Sequence, residues 1–147
     1  MPEYIPDTDE VSRLLFEPFM RPAGRDDLHW DNIFQFPSDQ GACESVVWRA
    51  KAPAMVDVHA IGCDKQGSDR KSGRTKSTYF GSITAKVAEI RALRSKGGIS
   101  ITVSHCPDEF EAHAHLAFSD GAKKNDKSEL KVLLRAKFGP LSGHTCP

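Results

Sequence analysis

The sequence contains no run of about eighteen apolar residues, so no segment has the form of a membrane-spanning helix. Nor is there an excess of either charge. Twenty basic side chains balance twenty acidic ones, and no global field draws the chain onto nucleic acid or an anionic lipid surface. The opening residues MPEYIPDTDE lack the basic and apolar stretches of a secretory signal, which makes the cytoplasm the expected compartment. The four cysteines, Cys43, Cys63, Cys106 and Cys146, form no C-x-x-C pair. In a reducing compartment such scattered thiols are expected to be free. Also missing are a G-x-S-x-G elbow and a dinucleotide fingerprint. These absences argue against a ready-made catalytic set.

What is present is a chain of 147 residues, 39% hydrophobic and 27% charged. That length suits one domain burying roughly two-thirds of its unfolded surface, without a metal or disulfide to hold it together. Residues 1–147 carry no repeat or linker and read as a single α+β domain. The expected architecture is a mainly antiparallel sheet with three or four helices on one face.

The elements follow from periodicity and punctuation. Residues 7–17 open with Asp7 and Glu10 in capping-box spacing, carry Val11, Leu14 and Leu15 three and four apart, and stop at Pro18. This predicts a short helix. IFQF and ESVVWR read as paired strands. Residues 54–66 fit a helix, with Met55, Val58 and Ile61 three apart, or a strand alternating at Val56, Val58 and Ala60. The preceding Pro53 favours the helix. STYFG reads as a short strand before a helix over 82–98, with Ser82 as N-cap, Ile83, Val87 and Ile90 in its stripe, and Gly97 after its end. ISITVSHC and HAHLAFS alternate as a hairpin, and DKSELKVLLRAKFGP places Leu130, Leu133, Leu134 and Phe138 at helical spacing. Phe16, Phe19, Met20, Trp30, Phe34 and Phe36 supply much of the expected core.

Two features carry chemistry. The first is SHCPDEFEAHAHLAF. Placing the apolar residues of both strands on one face opposes Val103 to Leu116, which sends His105 to the core side. His105 is therefore a hydrogen-bonded core-rim residue. Cys106, His113 and His115 share the opposite face, pointing away from the core. Their nitrogen and sulfur donors match a zinc ligand set, with His144 or Cys146 of GHTCP as a source of the fourth ligand. His59, with Met55 and Cys63 one turn away on either side, reads as a partly buried helical histidine.

The second feature is KQGSDRKSGRTK, residues 65–76. Lys65, Arg70, Lys71, Arg74 and Lys76 stand on what reads as a mobile loop that departs from the phosphate-loop pattern. Such a loop is a candidate polyanion contact.

The leading expectation is an accessory module without a catalytic centre or cofactor, whose partner is another protein. The alternatives are a metal-dependent hydrolase or nuclease using zinc at Cys106, His113 and His115, and nucleic-acid binding through the basic residues. The hairpin's histidine face and the basic segment are the candidate contact surfaces.

Overall fold

The structure is a computed structural model, and it describes residues 2–22, 27–37, 42–73 and 77–147. Its elements are β1 (Glu10–Glu17), α1 (Trp30–Ile33), β2 (Cys43–Trp48), α2 (Met55–Lys71), β3 (Thr78–Lys86), α3 (Val87–Arg91), β4 (Ile101–His105), β5 (His113–Phe118), α4 (Lys124–Arg135) and β6 (Ser142–Gly143). The strands form one six-stranded sheet in the order β4-β5-β2-β1-β3-β6, and every neighbouring pair is antiparallel. This is the expected α+β class. No helix among the described residues is long and apolar enough to cross a membrane.

The segment expected as a first helix is instead β1, a central strand. It pairs with β3 along Glu10–Glu17 and with β2 at Val11 and Ser12. The helical spacing of its apolar residues arises because both faces of the strand are covered. Val11 and Leu15 enter one core with Ile33, Val87, Ile90, Leu130 and Leu134, while Leu14 and Phe16 enter a second with Val47, Val58 and Tyr79. Helices α1, α3 and α4 thus pack on the first face, and α2 packs on the second. The polar residues of β1 find partners far along the chain. Ser12 Oγ lies 2.7 Å from Thr84 Oγ1, and Arg13 donates to the carbonyls of Ile33 and Ser45 at 3.1 and 3.0 Å. Such pairing offsets the cost of burying them.

Three further expectations are revised. IFQF is not a strand: α1 ends at Ile33, and β2 instead pairs with β1 and β5. The helix expected over 82–98 is mostly strand. β3 continues to Lys86 because it pairs with β1 throughout, leaving α3 only five residues, and Ser82 lies mid-strand facing Leu14. The basic segment is not a loop up to Lys71, because α2 runs to that residue. Gln66 holds this extension down, accepting a hydrogen bond from the Tyr79 backbone at 2.7 Å.

The helix over 54–66 and the hairpin stand as expected. β4 and β5 oppose Val103 to Leu116, Ser104 to His115 and His105 to Ala114. His105 is buried between the Glu3 backbone N–H at 3.0 Å and the Glu111 carbonyl at 2.7 Å. Of the early aromatics, Phe16, Phe34 and Phe36 are buried with Met20, whereas Phe19 is exposed.

Candidate functional site

The hairpin register sends Cys106, His113 and His115 to the second face, as expected, but that face is not open. The β4–β5 connection folds back over it and lays Phe110 against His113, with ring centroids 4.9 Å apart. His113 is only 2% exposed, while Cys106 and His115 are partly buried. A strand face without alternating apolar residues ordinarily meets solvent. Here α2 and Phe110 supply the cover.

Both ring nitrogens of His113 are engaged. Nε2 lies 3.0 Å from Ser45 Oγ on β2, and Nδ1 lies 3.4 Å from Asp108 Oδ1. In the tautomer that donates from Nδ1 to the Asp108 carboxylate, Nε2 accepts a hydrogen bond from the Ser45 hydroxyl. The Asp108 carboxyl is held below its usual range by its own backbone N–H and by His113. The His115 ring meets His113 edge to face at 4.6 Å. Burial, followed by the repulsion that a proton on His113 would exert, lowers the His115 pKa. The Cys106 thiol is pushed up by burial and by Asp108, which keeps it protonated and a poor nucleophile at neutral pH.

Beside His113 is a cavity of about 50 Å³ with an apolar floor from Leu14, Phe16 and Val47. Lys65 of α2, Glu109 and Phe110 line it and also line an adjoining cleft of about 400 Å³ between α2 and the β4–β5 connection. The smaller cavity brings together one residue from each of two sets far apart in sequence, Lys65 and His113, whereas the larger cleft is lined by Lys65 without His113. The remaining basic residues diverge from it in role. Arg70 and Lys71 are exposed on the last turn of α2, close to Asp69, and Arg74 and Lys76 lie outside the described residues.

Donor atoms of Cys106, His113 and His115 do not form a convergent set. Among the described residues, the one group of three whose ligand atoms lie within 4.8 Å of one another is Cys63, His144 and Cys146. Two of these are covalently joined: Cys63 and Cys146 form a disulfide, which revises the expectation of four free thiols. The thiol pattern therefore no longer argues for a reducing compartment. His59 lies beside this group, its Nδ1 2.7 Å from Tyr79 Oη.

Sequence reasoning missed Ser45 because it meets His113 only through the pairing of β2 with β5, 68 residues away, and missed Asp108 because its reach to His113, five residues on, depends on the fold of the β4–β5 connection rather than on strand alternation. Compared with known protein families, curated proteins and solved structures, the chain has no match in any of the three.

Proposed function

We propose that the protein is an accessory binding module that receives a segment of a partner protein in the cleft between α2 and the β4–β5 connection. The cleft itself carries this reading. An apolar floor beneath Phe110 takes one hydrophobic side chain, while Lys65, Asp64, Asp69 and Glu109 at the rim address the polar groups of the segment. The charge around the rim is mixed. It therefore favours a peptide over a polyanion, which would need several cations without intervening carboxylates.

A photo-crosslinking residue at Ser68, on the cleft wall, tests this. Crosslinking in the source cell is expected to give one defined protein adduct, lost in Phe110→Ala and Lys65→Glu. A crosslinker at Thr102, away from the cleft, provides the control. Equal adducts from both positions, or none from Ser68, would overturn the reading.

One observation favours a second reading. Asp108, His113 and Ser45 lie in the order orienting carboxylate, base and hydroxyl nucleophile, which is an acyl-transfer arrangement. In such a step Ser45 Oγ bonds to an ester carbonyl carbon as its proton passes to His113 Nε2, which then protonates the departing alcohol. Asp108 is 75% exposed at its side chain, so its grip on the imidazole is weak. A fluorophosphonate probe decides this reading. Covalent labelling at Ser45, abolished by His113→Ala, supports a hydrolase, and no labelling removes it. A metal-dependent centre at Cys106, His113 and His115 has less support, because either His113 nitrogen would first have to give up a hydrogen bond.

A further inference from the structure

The tail after α4 returns to the sheet as its sixth strand. Ser142 opposes Ser82 and Gly143 opposes Gly81, and His144 N–H extends the pairing to the Phe80 carbonyl at 2.9 Å. The approach is close: Gly81 has φ +150°, and a Cβ there would collide with the Ser142 carbonyl. Beyond the pairing the chain stays extended. Burial alternates, with Ser142, His144 and Cys146 facing inward and Gly143, Thr145 and Pro147 exposed. His144 and Cys146 therefore point the same way, toward α2.

α2 meets them through Cys63. Gly62 allows this, because a Cβ at that position would lie 2.5 Å from the Tyr79 ring, so the helix settles directly on β3. The imidazole of His144 is stacked on His59, with centroids 4.4 Å apart and planes 10° from parallel. His59 is itself fixed, with Nδ1 2.7 Å from Tyr79 Oη and Nε2 3.4 Å from Ser142 Oγ. The orientation of His144 is thus supported by side chains that do not themselves need to ligate. Stacking on a fixed ring holds the His144 imidazole in one plane, so less side-chain freedom is lost when it binds a metal.

We propose that Cys63, His144 and Cys146 form a zinc-binding site that exists only when the Cys63–Cys146 disulfide is reduced. Two thiol molecules, or one dithiol, supply two electrons and two protons. The sulfur–sulfur bond breaks, two thiols form, and the reductant becomes a disulfide. Zinc then displaces both thiol protons to solvent and takes two thiolates and one imidazole nitrogen, with water at the fourth position. In the reverse direction a small-molecule disulfide takes two electrons from the two thiolates and, with two protons, becomes two thiols, while the Cys63–Cys146 bond re-forms and zinc is released. The two forms exclude each other because the same sulfurs serve both.

The test uses the full chain in both redox states. After anaerobic reduction and removal of the reductant, zinc uptake is measured against a chromogenic chelator, and cobalt(II) serves as the spectroscopic probe. The reduced protein is expected to bind one metal per chain, with the intense visible bands of tetrahedral cobalt–thiolate coordination. The oxidised protein is expected to bind none. His144→Ala, which leaves the disulfide intact, and Cys146→Ser should each weaken binding on the order of tenfold or more. Replacing Cys43 and Cys106 together with serine should leave it unchanged. The proposal fails if the reduced protein takes up no zinc, if the oxidised protein binds as tightly, if His144→Ala retains full affinity, or if binding disappears with Cys43 and Cys106.

Discussion

Nε2 of His113 stands 3.0 Å from Ser45 Oγ, a contact that ties β5 to β2 on the sheet face covered by Phe110 and α2. A buried imidazole and an exposed hydroxyl share it, so its loss is asymmetric. Ser45→Ala strands the buried Nε2 without its partner and should cost about 1–3 kcal/mol. His113→Ala also leaves a void beneath Phe110 and should cost about 2–4 kcal/mol. Urea denaturation of the two variants and of their double mutant measures the coupling.

The two glycines within α2 are expected to respond in opposite directions. At Gly62, an added methyl meets the Tyr79 ring at 2.5 Å, and that ring is buried with its hydroxyl bonded to His59. Gly62→Ala should therefore destabilise by about 1–3 kcal/mol, since overpacking outweighs the gain in helix propensity. A Cβ at Gly67 meets nothing within 4 Å. Gly67→Ala should stabilise by about 0.5–1 kcal/mol, and thermal melts of the pair will show whether α2 packs as described.

Burial pushes the Tyr79 phenol up to about 12 from its ordinary 10.0, with a smaller opposing effect from the Ser82 hydrogen bond. A folded-state pKa raised above the unfolded one gives stability that is fully present below pH 10 and lost as pH rises through about 12. Near-ultraviolet titration should show the Tyr79 phenolate only at the alkaline end, coincident with weakening of the fold. Tyr79→Phe should remove that step. A phenolate forming near pH 10 with the fold intact would contradict the burial.

At the acid end the relevant group is Asp126. The Ser95 hydroxyl at 2.7 Å and the Lys123 backbone N–H at 3.0 Å hold its carboxyl below the ordinary 3.8. A depressed folded-state pKa gives stability that is present above the unfolded value and lost as pH falls through the folded one. Asp126→Asn should lower the melting temperature at neutral pH and leave the melting temperature in strong acid nearly unchanged, as calorimetry across the acid range will show.

Cys63 and Cys146 are 83 residues apart in sequence, so their disulfide closes a long loop in the unfolded chain. Reduction in the presence of a chelator should lower stability by about 2–5 kcal/mol. Denaturation with and without reductant measures the difference, and unchanged stability would show that the cross-link is not formed in solution.

Legibility in the sequence followed how local the causes were. The β4–β5 hairpin could be read residue by residue, because one apolar face repeats every second position in both strands and a single register satisfies both. α4 was legible for the same kind of reason, with Leu130 and Leu134 on one stripe. β1 and β3 were not. A strand covered on both faces carries apolar residues at positions that also suit a helix, and Ile83, Val87 and Ile90 kept helical spacing across a boundary that lies at Lys86. Only pairing with β1 along its whole length made residues 82–86 extended.

The same division applies to the candidate sites. Sequence alone placed Cys106, His113 and His115 on one side of a hairpin and directed His105 to the core, because alternation along a strand is a local property of the backbone. It also marked Lys65, His144 and Cys146 as residues with chemistry to offer. Tertiary structure alone decided their neighbours. It set Ser45 against His113 through the pairing of β2 with β5, brought Lys65 to the small cavity beside them by laying α2 on the second face, and joined Cys146 to Cys63 by carrying the tail across β3. Those contacts depend on sheet order and on which face each helix covers, and no periodicity within a short window encodes either.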